Sequence, residues 1–419
     1  MFAETPPIGT EVKLVYPEQR IIRLAPAGTG APGLATVLPE AHLQVRYDVS
    51  VVLPVYDVSP YVRQCLDSIL RQNGVALQLI LVNDGSEDDS LSMVLEYLQR
   101  HEARNALVVD QTNRGLSAVR NIGTRLALGK YVAYLDTDDF MAPNAYAQMF
   151  EFAERKHLAA VFCRSLVFDS QALSFSPFYD AETWDTLLEG RSELVTNAAR
   201  HPRLLMLEPN ANTRLVRRDV IDRLALTYPQ GLYFEDQPVH TKLLLAVSEV
   251  GLLDQTLYRY RINRPGKITA TRSRRRFDVL RVYDLTMAVC ETHQPTPEQG
   301  ARILSALLRL TYWCGTETIL DERREFFLGL SRRFAAAPAP WVARFNALFR
   351  QDLRQLVLLW ALRRGDIQLL FDLSVGRRPA WPLLRFVFGE MRFGVIYVRL
   401  FDALRSLKQR LLLEVAPKT

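Results

Sequence analysis

The sequence predicts an α/β fold in which a mostly parallel sheet is flanked by helices. Four apolar runs, each of the length of a buried strand, occur at residues 47–56, 77–84, 106–110 and 132–135. Between the first two runs, apolar residues recur at helical spacing from Pro60 to Leu70. Strands that alternate with helices in this way are typical of parallel sheets with right-handed crossovers.

The fourth apolar run ends in three carboxylates, Asp136, Asp138 and Asp139. Ligands of open α/β sheets bind outside the carboxyl ends of the strands, so these acids lie where chemistry is expected. Three carboxylates within four residues repel one another unless a cation lies among them, and Mg²⁺ or Mn²⁺ takes oxygen ligands. The sequence therefore indicates a divalent-metal site. The structural alternative is a polar turn in which Asp139 caps the next helix.

Four motifs occur in order between residues 47 and 265, a span of a little over half of the chain. They are VSVVLPVYDVSPYVRQCLDSIL, LILVNDGSEDDS, NRGLSAVRNIGTRLALGKYVAYLDTDD and YFEDQPV. These motifs resemble glycosyltransferase family 2, whose members have the Rossmann-like GT-A fold. The resemblance implies an inverting transferase that uses a nucleotide-diphosphate sugar, most often a UDP-sugar, and a divalent metal.

The resemblance places the nucleotide beside the ends of the first two strands. Pro54, Val55 and Tyr56 would bring backbone groups and an aromatic ring to the base. Asp84 would accept a hydrogen bond from the N–H of a uracil. An Asx-turn that closes residues 83–86 is the structural alternative for Asp84, and the two roles are compatible.

The segment NRGLSAVR, residues 113–120, supplies candidate contacts to the diphosphate, and Asn113 at its start is the first of them. Gly115 allows close backbone approach, and the guanidinium groups of Arg114 and Arg120 suit phosphate oxygens. For Arg120 a second interpretation stays open. It would pair with an aspartate of the acid cluster and support the site without contacting substrate.

Asp136 and Asp138 form the DxD-like pair of the resembled family. The resemblance implies Mn²⁺ or Mg²⁺ as the cofactor, with Asp138 as the main ligand. Asp136 would be a further ligand, or would contact the ribose or a water on the metal. His240 lies four residues after Asp236, on the same face of an expected helix, and is either a late metal ligand or a packing residue.

Inverting glycosyl transfer needs a base that takes the proton of the acceptor hydroxyl. The family resemblance implies Asp236 as this base and Glu235 as its support or as an acceptor contact. The alternative is that both acids only suit the positive N-terminal end of a helix.

The segment YRYRINRPGKIT resembles the loop that folds over the donor diphosphate, with candidate contacts at Arg264, Lys267 and Thr269.

Cysteine usage and hydropathy indicate a cytoplasmic protein. Cys65, Cys163, Cys290 and Cys314 form no CxxC pair, which argues against a zinc site or a disulfide framework and suits a reducing compartment. No segment resembles a signal peptide, and no run of 18 or more apolar residues predicts a membrane-spanning helix.

The two parts of the chain differ in charge. Residues 1–270 carry a net charge of −5, whereas residues 271–419 carry +11 and show apolar stripes typical of helices. Within residues 381–413, arginines recur every seven residues on one helical face, at Arg385, Arg392 and Arg399. This stripe indicates either a helix on an anionic surface of the inner membrane or a solvated helix packed on the catalytic domain. No basic motif with aromatic residues between its charges supports nucleic-acid binding.

These patterns predict three parts of the chain: an extension with strand-like alternation at residues 1–46, a GT-A catalytic domain at 47–270 and a basic helical domain at 271–419. The predicted function is transfer of a sugar from a nucleotide-sugar donor to a hydroxyl of a glycan or lipid-linked acceptor in bacterial surface-polysaccharide synthesis. The extension at residues 1–46 has no assigned role, and an oligomer contact is one option for it.

The alternative function is that of a non-catalytic nucleotide-sugar-binding or scaffold protein. A nucleotidyltransferase would require a glycine-rich phosphate loop that LPVYDVSPY lacks.

Overall fold

A mixed β-sheet lies at the centre of the larger, N-terminal part of the chain. The computed structural model describes residues 19–23, 33–35, 45–264 and 272–377. Within them the strands are β1 Arg20–Arg23, β2 Gly33–Ala35, β3 Val49–Val55, β4 Leu77–Asp84, β5 Ala106–Gln111, β6 Tyr131–Tyr134, β7 Phe140–Met141, β8 Ala160–Asp169, β9 Ser174–Pro177, β10 Glu193–Thr196, β11 Arg214–Arg217 and β12 Val250–Ile262. Their spatial order is β10-β12-β8-β11-β6-β3-β4-β5-β1-β2, with β7 paired to β12 and β9 to β8.

The centre of the sheet is parallel. Strand β3 pairs in parallel with β4 and β6, and β4 pairs in parallel with β5. Side chains of Val52 and Ile80 belong to one buried cluster, and those of Val51 and Leu79 belong to another. Both faces of these strands are therefore covered, which explains why they were recognisable as continuous apolar runs.

Helices cover both faces of this sheet. In chain order they are α1 Val62–Leu70, α2 Ser90–Arg100, α3 Leu116–Leu126, α4 Ala145–Lys156, α5 Ala181–Leu188, α6 Arg218–Leu224 and α7 Asp236–Ala246. Helix α3 contacts β3 and β4, whereas α4 contacts β8 and β12. The predicted α/β fold is confirmed.

The N-terminal segment adds strands to one edge of the sheet. Strand β1 pairs antiparallel with β5, and β2 pairs antiparallel with β1. Ile21 of β1 lies opposite Val109 and is fully buried. The strand-like alternation before residue 46 thus corresponds to strands that belong to the central sheet. The division of the chain into domains at residues 46 and 270 stays a prediction.

The described part after residue 272 is helical. Its helices are α8 Asp278–His293, α9 Pro297–Glu317, α10 Arg323–Ala335, α11 Ala339–Leu348, α12 Leu353–Arg364 and α13 Ile367–Ser374, preceded by a 3₁₀ turn at Arg274–Phe277. Leu304 and Leu307 of α9 share a buried cluster with Val52 of the sheet, so sheet and helices have a continuous core. The predicted helical character is confirmed. The arginine stripe at residues 385–399 lies outside the described residues.

The described residues include all four cysteines and the helices that could be tested for membrane spanning. Among them, no helix is both long and apolar enough to cross a bilayer. All four cysteines lie within the described ranges, where each is buried and none forms a disulfide. This agrees with the absence of a disulfide framework that the cysteine spacing predicts.

Candidate active site

The three acids that follow β6 come together in space. Carboxylate oxygens of Asp136, Asp138 and Asp139 all lie within 4.8 Å of one another. They sit at the carboxyl end of the parallel strands, next to the short strand β7. The position is the one that the sequence predicts for a ligand site of an α/β sheet.

Asp139 has a structural role in this group. Its side chain is fully buried, and its two oxygens accept hydrogen bonds from the hydroxyl of Tyr258 and from the backbone N–H of Arg261 at 2.7 Å. The alternative interpretation of Asp139 as a helix cap is wrong, because the next helix, α4, begins after Asn144. Asp139 instead attaches the loop of residues 136–139, here called the acid loop, to strand β12.

Asp138 and Asp136 are the two carboxylates left for a ligand. Oδ2 of Asp138 accepts a hydrogen bond from Nε of Arg264 at 2.5 Å, and both side chains are largely buried. Asp136 is more accessible, with 28% of its side chain exposed. Hard oxygen donors at this spacing suit Mg²⁺ or Mn²⁺, so the residues present fit a divalent ion.

Asn212 holds Asp136 in place. Its side-chain amide donates to Oδ2 of Asp136 at 2.9 Å, and its amide oxygen accepts from the backbone N–H of Asp136 at 3.2 Å. The same amide group donates to the hydroxyl of Tyr258 at 3.0 Å. The sequence did not predict this support, because Asn212 lies 76 residues from Asp136 and belongs to no acidic motif.

Arg120 joins the acid loop to the candidate base. One terminal nitrogen of its guanidinium donates to Glu235 and to Asp236, each at 2.8 Å, and the other donates to Asp136 at 3.1 Å. Burial alone would lower the pKa of this guanidinium, but the three acids together raise the pKa well above its usual value. The interaction of Arg120 with carboxylates corresponds to the structural interpretation given above, with Arg120 as a support of the site.

Glu235 and Asp236 stand at the start of α7. Burial, and then the neighbouring Asp236, raise the pKa of Glu235 to about 7, although Arg120 acts in the opposite direction. Burial also raises the pKa of Asp236, again against Arg120. The Asp236 side chain is 21% exposed and that of Glu235 only 7%. Asp236 is therefore the more accessible of the two acids.

At the end of β4, Asp84 fixes the loop that precedes α3. Its carboxylate accepts hydrogen bonds from the backbone N–H groups of Arg114 at 2.9 Å and Gly115 at 2.8 Å. The side chain of Gln111 donates to it at 2.7 Å. The turn after β4 is closed by Asn83, which accepts a hydrogen bond from the Ser86 hydroxyl at 2.6 Å. The Asx-turn that was considered for Asp84 is thus made by its neighbour.

Two glycines let this loop approach β4. Gly115 has φ of +84°, a left-handed conformation that favours glycine, directly before α3. At Gly85, with φ of +70°, a Cβ atom would lie 2.9 Å from the backbone nitrogen of Asn113. A side chain at Gly85 would therefore push the two loops apart.

Tyr56 completes this edge of the site. Its ring is 46% exposed, and the backbone N–H of the next residue, Asp57, donates to the hydroxyl of Ser86 after β4 at 3.3 Å. Val55 is buried, and the carbonyl of Pro54 accepts a hydrogen bond from the hydroxyl of Thr137, which lies within the acid loop. These contacts place the ends of β3, β4 and β6 along one continuous edge.

His240 lies in packed surroundings. It is fully buried, its Nδ1 is 3.2 Å from Arg214, and its ring packs edge-on against Phe162. Burial and Arg214 hold its pKa well below the usual value. The group of possible metal ligands among the described residues does not include it. Two other candidates, Lys267 and Thr269, lie outside the described residues.

Sequence comparison identifies relatives of this chain. The model of the family described as "Glycosyl transferase family 2" matches residues 50–201. The uncharacterised glycosyltransferase EpsJ of Bacillus subtilis is 31% identical over 226 residues, which are 53% of this chain and 62% of EpsJ. The minor teichoic acid biosynthesis protein GgaB of B. subtilis is 37% identical over 109 residues, or 26% of this chain and 12% of GgaB. The chain thus spans less than two thirds of the length of either relative.

Structure comparison finds the same architecture in a solved protein. S. aureus TarS 1-349, crystallised in complex with UDP-GlcNAc, superposes with a TM-score of 0.62 at 18% sequence identity, covering 79% of this chain and 92% of TarS 1-349. At this level of identity the likeness concerns the fold. It confirms the GT-A-like architecture that the sequence motifs predict.

Proposed function

We propose that this chain, whose residues 50–201 match the model of glycosyl transferase family 2, transfers a sugar from a nucleoside-diphosphate sugar to a hydroxyl of an acceptor, with inversion at the anomeric carbon. The observation that carries the proposal is the position of Arg120. One guanidinium binds Asp136 at the donor side and Asp236 at the acceptor side. The acid proposed to bind the donor and the acid proposed to take the proton of the acceptor are thus held by the same buried side chain.

The donor lies, in this proposal, along the edge formed by β3, β4 and β6. The exposed ring of Tyr56 stacks on the base. Asp84 accepts a hydrogen bond from the N–H of a uracil and at the same time holds the loop at Gly115. Arg114 and Arg264 contact the diphosphate, as paired N–H donors suit phosphate oxygens. Arg120 has no such role, because its terminal nitrogens donate to three carboxylates.

Asp138 and Asp136 are the residues that would hold a divalent ion. When bound, such an ion neutralises charge on the departing diphosphate. Asp139 contributes by keeping the acid loop against β12, since both of its oxygens already accept hydrogen bonds from that strand. Asn212 orients Asp136 through two hydrogen bonds.

Asp236 acts, in this proposal, as the base that takes the proton of the attacking hydroxyl. Its position beside Arg120 keeps the carboxylate oriented, and its raised pKa makes it a stronger base than an exposed aspartate. Glu235 is more deeply buried and shares the same Arg120 nitrogen, so it supports Asp236. The acceptor hydroxyl attacks the anomeric carbon from the side opposite the leaving diphosphate.

Two relatives support a proposal for the donor and acceptor classes. TarS was crystallised with UDP-GlcNAc, and GgaB is a protein of minor teichoic acid biosynthesis. We propose a UDP-sugar as the donor and a glycan or lipid-linked precursor of a bacterial surface polymer as the acceptor. A cytoplasmic site of action, at the membrane when the acceptor is lipid-linked, belongs to the same proposal.

A thermal-shift experiment tests the proposal at its first step. Purified protein is heated with UDP, GDP and a panel of their sugar derivatives, with Mn²⁺ or with EDTA. We expect UDP and at least one UDP-sugar to raise the Tm with Mn²⁺ only, and the Asp138→Asn variant to lose this response. Asp219→Asn, which alters an exposed acid outside the site, is the matched control. Stabilisation by no nucleotide would refute the donor assignment, and binding without turnover of any acceptor would favour a non-catalytic role.

A further inference from the structure

The residue before the Glu235-Asp236 pair has an unusual backbone. Phe234 has φ of +66°, a left-handed conformation that bulky residues rarely adopt. Such a conformation persists only where surrounding contacts hold it, and it is frequent at functional sites. The contacts that hold Phe234 therefore also determine where the two acids lie.

Those contacts come from the helical part of the chain. The ring of Phe234 packs edge-on against Trp313 of α9, with 5.8 Å between the centroids. The guanidinium of Arg276 lies 4.4 Å from the centroid of Trp313 and 5.7 Å from that of Phe234. Arg276 is almost fully buried, whereas Trp313 remains 38% exposed. A cation placed over two aromatic rings in a desolvated position attracts both.

The neighbouring residue is held by the same part of the chain. The backbone N–H of Tyr233 donates to Oδ2 of Asp278 at 3.2 Å, at the start of α8. The guanidinium of Arg275 lies 5.2 Å from the centroid of the Tyr233 ring. Both residues that precede the acid pair thus rest on residues 275–278 or on α9.

We propose that Arg276 and Trp313 are positioning residues that hold Glu235 and Asp236 against Arg120 through Phe234. The acid pair is restrained on one side by hydrogen bonds from Arg120 and on the other by the packing of Phe234. The helical part is then required for the geometry of the base as well as for the core. The inference rests on the proposed role of Asp236 as base.

Trp313→Ala tests this inference, with Trp313→Phe as the conservative variant. We expect Trp313→Ala to reduce kcat by tenfold or more, while the Kd for UDP with Mn²⁺ stays within twofold of wild type. Trp313→Phe retains an aromatic ring for Phe234 and Arg276 and should recover most of the rate. Leu328→Ala, which truncates an exposed apolar side chain of α10, is the matched control and should leave both quantities unchanged.

Hydrogen exchange gives a readout that does not need turnover. In Trp313→Ala, backbone amides of residues 233–237 should exchange faster, while those of β3 and β4 keep their protection. This result supports the positioning role even if no donor or acceptor is found, so it separates the inference from the proposed function. Arg276→Lys keeps the charge but loses the planar group, and it serves as a second variant if Trp313→Ala does not fold.

Three outcomes would overturn the inference. One is an unchanged kcat together with unchanged amide exchange of residues 233–237 in Trp313→Ala and in Arg276→Lys. A second is a parallel loss of kcat, UDP affinity and protection throughout the sheet, which indicates general destabilisation of the fold. Failure of Trp313→Phe to recover the rate, with Phe234 protected as in wild type, also contradicts a role through aromatic packing.

Discussion

Arg264 donates a hydrogen bond from Nε to Oδ2 of Asp138 at 2.5 Å, so the carboxylate proposed as the main metal ligand is paired with a guanidinium. The two side chains are 12% and 10% exposed, and water screens the interaction little. A divalent ion at Asp138 therefore has to compete with Arg264. Once displaced, Arg264 is close enough to bind the anionic group that arrives with the ion.

Replacement of Arg264 by glutamine separates these two effects. Without nucleotide, Mn²⁺ should bind Arg264→Gln more tightly than wild type, because the competing cation is gone. With Mn²⁺ present, UDP should bind more weakly, since a diphosphate contact is lost. Each change is expected to be about fivefold or more, the lower end of typical coupling energies. Calorimetric titration of both ligands measures them, and Arg259→Gln on β12 is the control. Equal Mn²⁺ affinity in Arg264→Gln and wild type contradicts the competition.

Asp138→Asn and Asp139→Asn should fail in different ways. Asp138→Asn removes the charge that a divalent ion requires, so transfer and metal-dependent nucleotide binding should be abolished. Its fold should persist, because weaker repulsion from Asp136 and Asp139 offsets the lost ion pair. Asp139→Asn weakens buried hydrogen bonds to β12 and should cost roughly 1–3 kcal/mol of unfolding free energy. Circular dichroism melts and Mn²⁺-dependent UDP binding distinguish the two variants. A normal rate for Asp138→Asn, or full turnover with a chelator, would remove the metal assignment.

Asp236→Asn should separate binding from chemistry. In its proposed role the residue contacts the acceptor, so donor affinity should stay within a few-fold of wild type. Loss of the base should reduce kcat by roughly 10²-fold or more. Glu235→Gln is the comparison, and a smaller loss of kcat is expected because Glu235 is the less accessible acid. If Asp236→Asn loses donor binding but keeps its kcat at saturation, Asp236 is not the base.

The strands and the acid loop were predictable because their signal is local. Buried parallel strands require unbroken apolar runs, and β4 has the predicted bounds, Leu77–Asp84. The carboxyl ends of neighbouring parallel strands share one edge, which brings Asp84 and Asp136 to the same side of the sheet. Local pattern and known topology are sufficient for this part of the site.

The roles of Arg120 and Asp139 were not decidable from the sequence. A guanidinium suits phosphate and carboxylate oxygens equally well, so its partner depends on the tertiary fold. Arg120 meets Glu235 across 115 residues, and Asp139 meets Tyr258 across 119. The contact between Phe234 and Trp313 is of the same kind, because helical periodicity shows that a face is buried but not what covers it.

Glu208 allows a test of the electrostatics around the acids. Its backbone N–H donates to Oδ2 of Asp180 at 3.0 Å. Burial, and then the charges of Asp180 and Asp236, raise the pKa of the Glu208 carboxyl to about 7, while Arg309 lowers it. Between its usual pKa of 4.5 and this value, the folded state binds a proton that the unfolded state has released. Its contribution to stability therefore falls as pH rises through this window, and the loss is complete above about pH 7.

Glu208→Gln should remove this dependence on pH. At pH 8 the neutral amide avoids the cost of a partly buried charge, so the Tm of the variant should exceed that of wild type. At pH 5, where Glu208 of the folded wild type is protonated, the difference should shrink. Other titrating groups are common to both proteins and cancel in the comparison. Glu189→Gln, which alters an exposed glutamate, should show equal differences at both pH values. If the Tm difference between Glu208→Gln and wild type is the same at pH 5 and pH 8, or if wild type has the higher Tm at pH 8, the pKa of Glu208 is not raised.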